Sequence, residues 1–136
     1  MEYIDGTPLS RQRDDVLPLS YISTVTDQVL SALAYSHARV IIHRDVKPGN
    51  VLISSVAGDR DFVKMVDFGL AKKIRDGAEH TPRKTGRKLT GSARYCSLNT
   101  HRGYSQTYSD DIEMLAYTLI YLSEGSLPWQ QLPAID

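Results

Sequence analysis

The sequence predicts an α+β fold in which two long helices hold most of the core and a short β-hairpin packs beside them. After Ser20, apolar residues recur at spacings of three and four, and residues 109–124 form a second, almost wholly apolar helical run. Two short apolar runs, 51–53 and 62–66, flank the turn signal Ala57-Gly58-Asp59 and predict the hairpin. The 136 residues correspond to about one domain.

Composition narrows the class of protein. The 16 basic and 16 acidic residues balance, so net charge predicts neither a nucleic-acid partner nor a membrane partner. The single cysteine, Cys96, excludes an internal disulfide and favours a reducing compartment. No apolar run approaches the ~20 residues that span a bilayer, and residues 1–6 lack the features of a secretion signal. We therefore expect a cytoplasmic or nuclear protein.

The first element expected is a short apolar strand end at 1–4, followed by a turn at 5–8. The first long helix is expected to begin at Ser20, with Ser20 or Ser23 as its cap. Its apolar stripe predicts core packing, and it comprises Ile22, Val25, Val29, Leu30, Leu33 and Ala34. His37 lies near the C-terminal end of this helix, where a cation is favoured, and is interpreted as structural.

The stretch 43–50 has the side chains that phosphate chemistry requires. It reads His43-Arg44-Asp45-Val46-Lys47-Pro48-Gly49-Asn50 and lies between the strand-like runs 40–42 and 51–53. Asp45 can accept a proton from a hydroxyl, Lys47 can neutralise a phosphoryl oxygen, and Asn50 can ligate a hard cation. Pro48 and Gly49 predict the tight turn that brings the three together. Alone, each polar side chain would usually be solvated, but their ordered combination favours phosphate chemistry.

A second motif follows the hairpin. Asp67-Phe68-Gly69 comes directly after the second hairpin strand, 17 residues beyond Asn50. Since Mg²⁺ keeps most of its water and takes one or two protein oxygens, Asp67 and Asn50 form a sufficient ligand set. The next segment, 70–88, is rich in lysine and arginine. It is a solvated flexible loop, a segment whose basic side chains favour acidic or phosphorylated substrates, or both.

These motifs resemble those of a known family. His43-Arg44-Asp45 with Lys47, Pro48 and Asn50 resembles the catalytic loop of a protein kinase, and the lysine is the form of Ser/Thr-specific kinases. Most protein kinases close the activation segment with Ala-Pro-Glu, whereas this chain has Ser97-Leu98-Asn99, preceded by Gly-Ser-Ala-Arg-Tyr at 91–95. With Asp110-Asp111-Ile112-Glu113 and Gly125-Ser126-Leu127-Pro128-Trp129, this is similar to the casein kinase I family.

The resemblance implies a Ser/Thr protein kinase that uses ATP and Mg²⁺ and acts on protein substrates near acidic or phosphorylated residues. The implied catalytic residues are Asp45, Lys47, Asn50 and Ser92, with Mg²⁺ held by Asn50 and Asp67. At the nucleotide, the resemblance assigns Met1 to the gatekeeper position, Tyr3 and Ile4 to adenine, Asp5 to ribose and Leu52 to the adenine floor. Arg94 becomes an anion-binding candidate, and Asp111 is expected to hold the backbone of His43 and Arg44.

The resemblance also marks what the sequence lacks. No Gly-x-Gly-x-x-Gly and no Val-Ala-x-Lys occur in it. We therefore expect residues 1–136 to be part of a kinase large lobe without the small lobe, from a truncated gene model or an internal start. Two consequences are expected. ATP should bind weakly. The central helix at 109–124 is apolar on all sides and would normally be buried on all sides, but here we expect it to be partly exposed.

Two other functions compete with the kinase interpretation. A non-catalytic, kinase-like interaction module fits the missing motifs, although Asp45, Lys47, Asn50 and Asp67 all being present argues against it. A phosphotransferase for small molecules would share the Asp45 and Asp67 chemistry, but the Gly-Ser-Ala-Arg-Tyr segment disfavours it. The sequence does not specify an oligomeric state.

Overall fold

The computed structural model describes residues 4–9, 17–59, 62–75 and 84–133. In chain order its elements are β1 (Gly6–Pro8), α1 (Leu19–His37), β2 (Ile41–Ile42), β3 (Val51–Ser54), β4 (Val63–Met65), β5 (Lys72–Lys73), α2 (Leu98–His101) and α3 (Tyr108–Glu124). Met1 and Tyr3, assigned above to the nucleotide, lie outside the described residues. The mixture of helices and small antiparallel sheets agrees with the predicted α+β class.

The strands form two small antiparallel sheets. One has the order β1-β3-β4, and the other pairs β2 with β5. The pairing of β3 with β4 confirms the predicted hairpin. The turn expected at 5–8 is wrong, because Gly6–Pro8 pairs with Leu52–Ser54 as a third strand. Gly6 permits this close approach, since a Cβ at its position would lie 2.7 Å from the carbonyl oxygen of Ile53.

Helix α1 follows the predicted stripe with two corrections. Ile22, Val25, Val29 and Leu33 are buried, at steps of three or four residues. Leu30 is 41% exposed, and Ala34 is exposed as well, because each lies one residue off this stripe. The proposed serine caps are wrong: the helix begins at Leu19, directly after the extended Pro18, and no side chain caps it. Ser20 and Ser23 therefore lie inside the helix, and both are exposed.

Helix α3 is bounded by two local signals. Thr107 and Asp110 form a capping box, in which the Thr107 N–H donates to Asp110 Oδ2 at 2.7 Å. The helix ends before Gly125, whose φ of 84° supplies the left-handed conformation of a C-cap. Met114, Leu115 and Leu122 are buried. As predicted, the helix is partly exposed: Ile112 and Ile120 are both 43% exposed.

The core lies where α1, α3 and the three-stranded sheet meet. Its buried members are Leu9, Ile22, Val25, Val29, Leu33, Val46, Val51, Val63, Met114, Leu115 and Leu122. Val46 and Val51 lie within and directly after the stretch 43–50, so the polar residues of that stretch are fixed by apolar neighbours on the same backbone. No helix in the described part of the chain combines the length and apolar character needed to cross a membrane.

Part of the basic segment is ordered. Lys72 and Lys73 pair with Ile42 and Ile41, and the N–H of Ile74 donates to the Val40 carbonyl at 2.7 Å. The interpretation of the whole of 70–88 as a loop therefore needs correction at this point, because backbone pairing with β2 outweighs the lack of an apolar pattern. Residues 76–83 of the segment lie outside the described part of the chain.

Candidate active site

Asp45 lies at the centre of a compact polar cluster in the loop between β2 and β3. Its Oδ1 accepts a hydrogen bond from the backbone N–H of Ser92 at 3.0 Å. Its Oδ2 accepts from Asn50 Nδ2 at 3.1 Å and lies 3.4 Å from Lys47 Nζ. Lys47 Nζ also donates to Ser92 Oγ at 2.7 Å. The structure thus brings together the four residues that the resemblance assigned to catalysis, although they are as far apart as positions 45 and 92.

The electrostatics of this cluster keep Asp45 ionised. Burial raises the pKa of the Asp45 carboxyl, but hydrogen bonds from Ser92 and the charge of Lys47 outweigh it, and the pKa lies below its ordinary value. A carboxylate of this kind accepts a hydrogen bond strongly at neutral pH. Asp45 is therefore suited to orient a hydroxyl group beside it.

Asn50 is oriented by the same carboxylate. Its Nδ2 donates both to Asp45 Oδ2 and to the Asp45 carbonyl oxygen, the latter at 2.8 Å. Because its nitrogen is engaged in this way, its Oδ1 is the atom left to bind a cation. The backbone of Asn50 is tied to the end of β4, since the N–H of Val66 donates to the Asn50 carbonyl at 3.0 Å. Asp67 is the next residue, so it directly follows the backbone group that bonds Asn50.

Asp67 has the conformation of a residue held at a tight corner. Its φ of 62° and ψ of 69° lie in the left-handed region, which non-glycine residues seldom adopt. Its Oδ1 accepts from the Gly69 N–H at 3.2 Å, and the residue is exposed. Asp67 and Asn50 together offer a carboxylate and an amide oxygen, the hard donors that Mg²⁺ takes alongside water. No group of three or more His, Cys, Asp or Glu suited to a metal occurs among the described residues.

The loop is anchored from below by α3. Asp111 is fully buried, and its carboxylate accepts from the backbone N–H groups of His43 at 2.8 Å and Arg44 at 2.9 Å. The same carboxylate lies 2.7 Å from His37 Nε2. Arg44 has a φ of 71°, a strained conformation that costs about 1–3 kcal/mol and that these bonds hold in place. Asp111 therefore holds the backbone of His43 and Arg44 as predicted, and its carboxylate also contacts His37.

His43 connects the loop to the Asp67 corner. Its Nδ1 accepts from the Asp45 N–H at 3.2 Å, so the ring hydrogen is on Nε2, which lies 3.0 Å from the Val66 carbonyl. Its ring also meets Phe68 edge to face, with centroids 4.6 Å apart. The buried ring of His43 therefore connects the loop at 43–50 to the corner at Asp67.

The nucleotide side of the site is described in part. Ile4 is partly buried and Asp5 exposed, and the Asp5 carbonyl accepts from the Ser55 N–H at 3.1 Å. Leu52 lies opposite Pro8 in the sheet and is partly buried. The strand that follows Asp5 therefore runs beside Leu52. The backbone of Ile4 and the side chains of Asp5 and Leu52 remain predicted contacts.

Arg94 is exposed, two residues beyond Ser92. None of the hydrogen bonds that define the Asp45 cluster involves Arg94, and its role as an anion-binding residue stays a prediction. Sequence reasoning missed the groups that hold this segment. Ser97 Oγ donates to Asp110 Oδ1 at 2.6 Å, and the Leu98 N–H donates to Glu113 Oε1 at 2.7 Å. Acidic residues spaced along the first turns of an apolar helix were the available signal.

One comparison with known proteins bears on this site. The family model described as protein kinase domain matches residues 1–134. The match covers nearly the whole chain, including the Asp45 cluster, the Asp67 corner and the Asp111 anchor.

Proposed function

Because the chain belongs to the protein kinase domain family, we propose that it is a serine/threonine kinase of the casein kinase I type, acting on acidic or previously phosphorylated protein substrates. Family membership supports protein kinase activity in general. The finer proposal depends on particular residues. The observation that carries it is the cluster in which Asp45, Lys47 and Ser92 contact one another within 3.4 Å.

Each member of the cluster has a distinct task in this proposal. Asp45, ionised and held by Ser92, accepts the hydrogen of the substrate hydroxyl and orients its oxygen. Lys47 has its ammonium 2.7 Å from Ser92 Oγ, where it stabilises negative charge on a phosphoryl oxygen. ATP would supply the γ-phosphoryl group, and Mg²⁺ bound with it would offset the negative charge on the phosphoryl oxygens. Asn50 Oδ1 and the Asp67 carboxylate are the oxygens that would hold the metal.

Positioning explains why so few side chains are needed. Catalysis of phosphoryl transfer is mostly alignment and charge stabilisation. Here the alignment is supplied by Asp111, which holds the His43 and Arg44 backbone, and by Asn50, which holds the Asp45 carboxylate. These bonds hold the Asp45 carboxylate and the backbone of its loop in position.

The substrate preference is proposed from charge. Arg94 is exposed and lies two residues beyond Ser92 in the sequence, and in this proposal its guanidinium meets the acidic group of the substrate. Lys84, Arg87 and Lys88 are also exposed in the segment before it. Arginine binds carboxylates and phosphates in bidentate fashion, which favours acidic or phosphorylated substrates.

Cys96 is a free, buried thiol, which supports the proposed location in the cytoplasm or nucleus.

The experiment that tests this proposal compares hydroxyl acceptors. The chain is incubated with radiolabelled ATP, Mg²⁺ and three peptides that differ at one position, carrying serine, threonine or tyrosine beside acidic residues. We expect label on the serine and threonine peptides and a much lower rate on the tyrosine peptide. Replacing the acidic residues by neutral ones should lower the rate. Equal labelling of tyrosine would contradict the specificity proposed here, and equal labelling of the neutral peptide would contradict the role of charge.

A second function is favoured by one observation. A groove between α1 and α3 is lined by Leu19, Leu30 and Ile120, which are 78%, 41% and 43% exposed. Exposed apolar side chains of this kind are typical of binding surfaces, so the alternative is a non-catalytic kinase-like interaction module. Transfer of label by the chain, lost on replacing Asp45, would exclude that alternative as the sole function.

A further inference from the structure

Three side chains connect α3 to the backbone of Arg94, and the catalytic cluster does not use them. Trp129 Nε1 donates to the Arg94 carbonyl at 2.7 Å. The Trp129 ring meets the ring of Tyr117 edge to face, with centroids 4.9 Å apart and planes at 77°. The Tyr117 hydroxyl donates to Glu113 Oε1 at 2.7 Å. We refer to Glu113, Tyr117 and Trp129 as the brace.

The brace also holds the other end of the same segment. Glu113 Oε1 accepts from the Leu98 N–H at 2.7 Å, at the start of α2. Between these two points, His101 Nε2 lies 2.9 Å from the carbonyl oxygen of Ala93, the residue before Arg94. The backbone of 93–98 is therefore tied to α2, α3 and the segment after α3. A single carboxylate oxygen at Glu113 connects its two ends.

The acid–base properties of the brace agree with this geometry. The hydrogen bond to Glu113, followed by burial and the charge of Glu113, raises the pKa of Tyr117 to about 12. Tyr117 therefore stays protonated at every physiological pH and remains a donor to Glu113. This bond fixes the hydroxyl end of Tyr117, and the Tyr117 ring packs edge to face against the Trp129 ring.

We propose that Glu113, Tyr117 and Trp129 are positioning residues that fix the Arg94 backbone and thereby set the affinity for the acidic group of the substrate. This inference rests on the proposed function, because it takes Arg94 as the group that meets the substrate anion. Among the described residues, the brace bonds Arg94 only at its carbonyl. A backbone that is already fixed loses less conformational entropy when the arginine binds an anion.

Trp129→Phe tests the brace with little change in packing. The variant keeps an aromatic ring against Tyr117 and removes the N–H that bonds the Arg94 carbonyl. Two dye-labelled peptides are titrated with the whole chain, and anisotropy gives Kd; they differ only in carrying serine or phosphoserine next to the acceptor. We expect Trp129→Phe to raise Kd for the phosphoserine peptide by roughly threefold to tenfold, the effect of one hydrogen bond. Kd for the serine peptide should not change.

A second variant acts at the far end of the brace. Tyr117→Phe keeps the ring under Trp129 and loses the hydroxyl bonded to Glu113, so we expect a smaller rise in the phosphoserine Kd, roughly twofold to fivefold. Tyr35→Phe is its matched control, because Tyr35 is 64% exposed on α1. This control should bind both peptides as the wild type does. Thermal unfolding of each variant establishes that the chain is folded at the assay temperature.

Arg94→Gln distinguishes the proposed role of Arg94 from the proposed role of the brace. If the wild type does not prefer the phosphoserine peptide, or if Arg94→Gln leaves the preference intact, the proposed role of Arg94 fails and the inference fails with it. If Arg94→Gln abolishes the preference while Trp129→Phe binds like the wild type, the inference alone is overturned. Equal weakening of both peptides by Trp129→Phe would also overturn it, since that result indicates a general structural role.

Discussion

Replacing Asp111 by asparagine should destabilise the protein through the loop that carries Asp45. The aspartate is fully buried and accepts three hydrogen bonds, from His37, His43 and Arg44. Asparagine has almost the same shape, so the substitution leaves no cavity. It replaces one acceptor oxygen by an NH₂ group, which faces a backbone N–H instead of accepting from it.

The expected decrease in the free energy of unfolding follows from the hydrogen bonds that are lost. An amide oxygen in place of Oδ2 can still accept from His37 and His43, both of which bond that atom. The Arg44 N–H, bonded to Oδ1 at 2.9 Å, then loses its partner. A hydrogen bond to a charged group contributes about 1.5–3 kcal/mol. The strained φ of Arg44 is no longer held, so we expect a loss of about 2–4 kcal/mol in the free energy of unfolding.

The assay is urea denaturation followed by far-ultraviolet circular dichroism, with Asp27→Asn as the control. Asp27 is exposed on α1, and its substitution should change the free energy of unfolding by less than about 0.5 kcal/mol. Amide hydrogen exchange adds a local measurement, because the His43 and Arg44 amides should exchange faster in Asp111→Asn. An Asp111→Asn chain as stable as the control, with unchanged exchange at these amides, would refute the anchoring role.

Two further predictions concern residues beside the cluster. Gly91→Ala should destabilise the protein by about 1–3 kcal/mol, because Gly91 has a φ of 97° and a Cβ would lie 2.5 Å from the Arg44 carbonyl; denaturation no different from the wild type would contradict this. Burial, then the charges of Asp45 and Asp110, raise the pKa of Cys96 to about 11. Its alkylation by iodoacetamide should therefore stay slow at neutral pH and accelerate as the pH rises toward that value, and rapid reaction at neutral pH would contradict the burial of the thiol.

Much of the site could be predicted because its residues are close in sequence or fall at the ends of elements. The turn at Pro48–Asn50 and the Asp67 corner depend on local backbone preferences, which the residue types reveal. The contact of Asp111 with the His43 and Arg44 backbone spans 68 and 67 residues, and family resemblance supplied that expectation. Periodicity alone could not have paired a helix with a loop at that distance.

What could not be predicted depends on tertiary contacts. Gly6–Pro8 has turn-forming residues, yet it forms a strand because β3 offers an unpaired edge. Leu30 fits an apolar spacing but lies one residue off the buried stripe. The sequence offers two neighbouring stripes, and only the packing of α1 against α3 decides which of them is covered. Glu113 reads as one more acidic residue on a helix. Its bond to Leu98 exists only because the segment after Ser92 folds back onto α3, whereas its bond to Tyr117 is a local contact four residues along the same helix.

The measurement that tests the central claim most directly is phosphoryl transfer by the wild-type chain and by Asp45→Asn. Both are assayed with radiolabelled ATP, Mg²⁺ and an acidic serine peptide, at saturating ATP. Loss of a positioned carboxylate that accepts the hydroxyl hydrogen should lower the rate by about a hundredfold or more, while circular dichroism shows the same fold. Transfer at equal, measurable rates by the two chains would contradict the assignment of the Asp45 loop to catalysis.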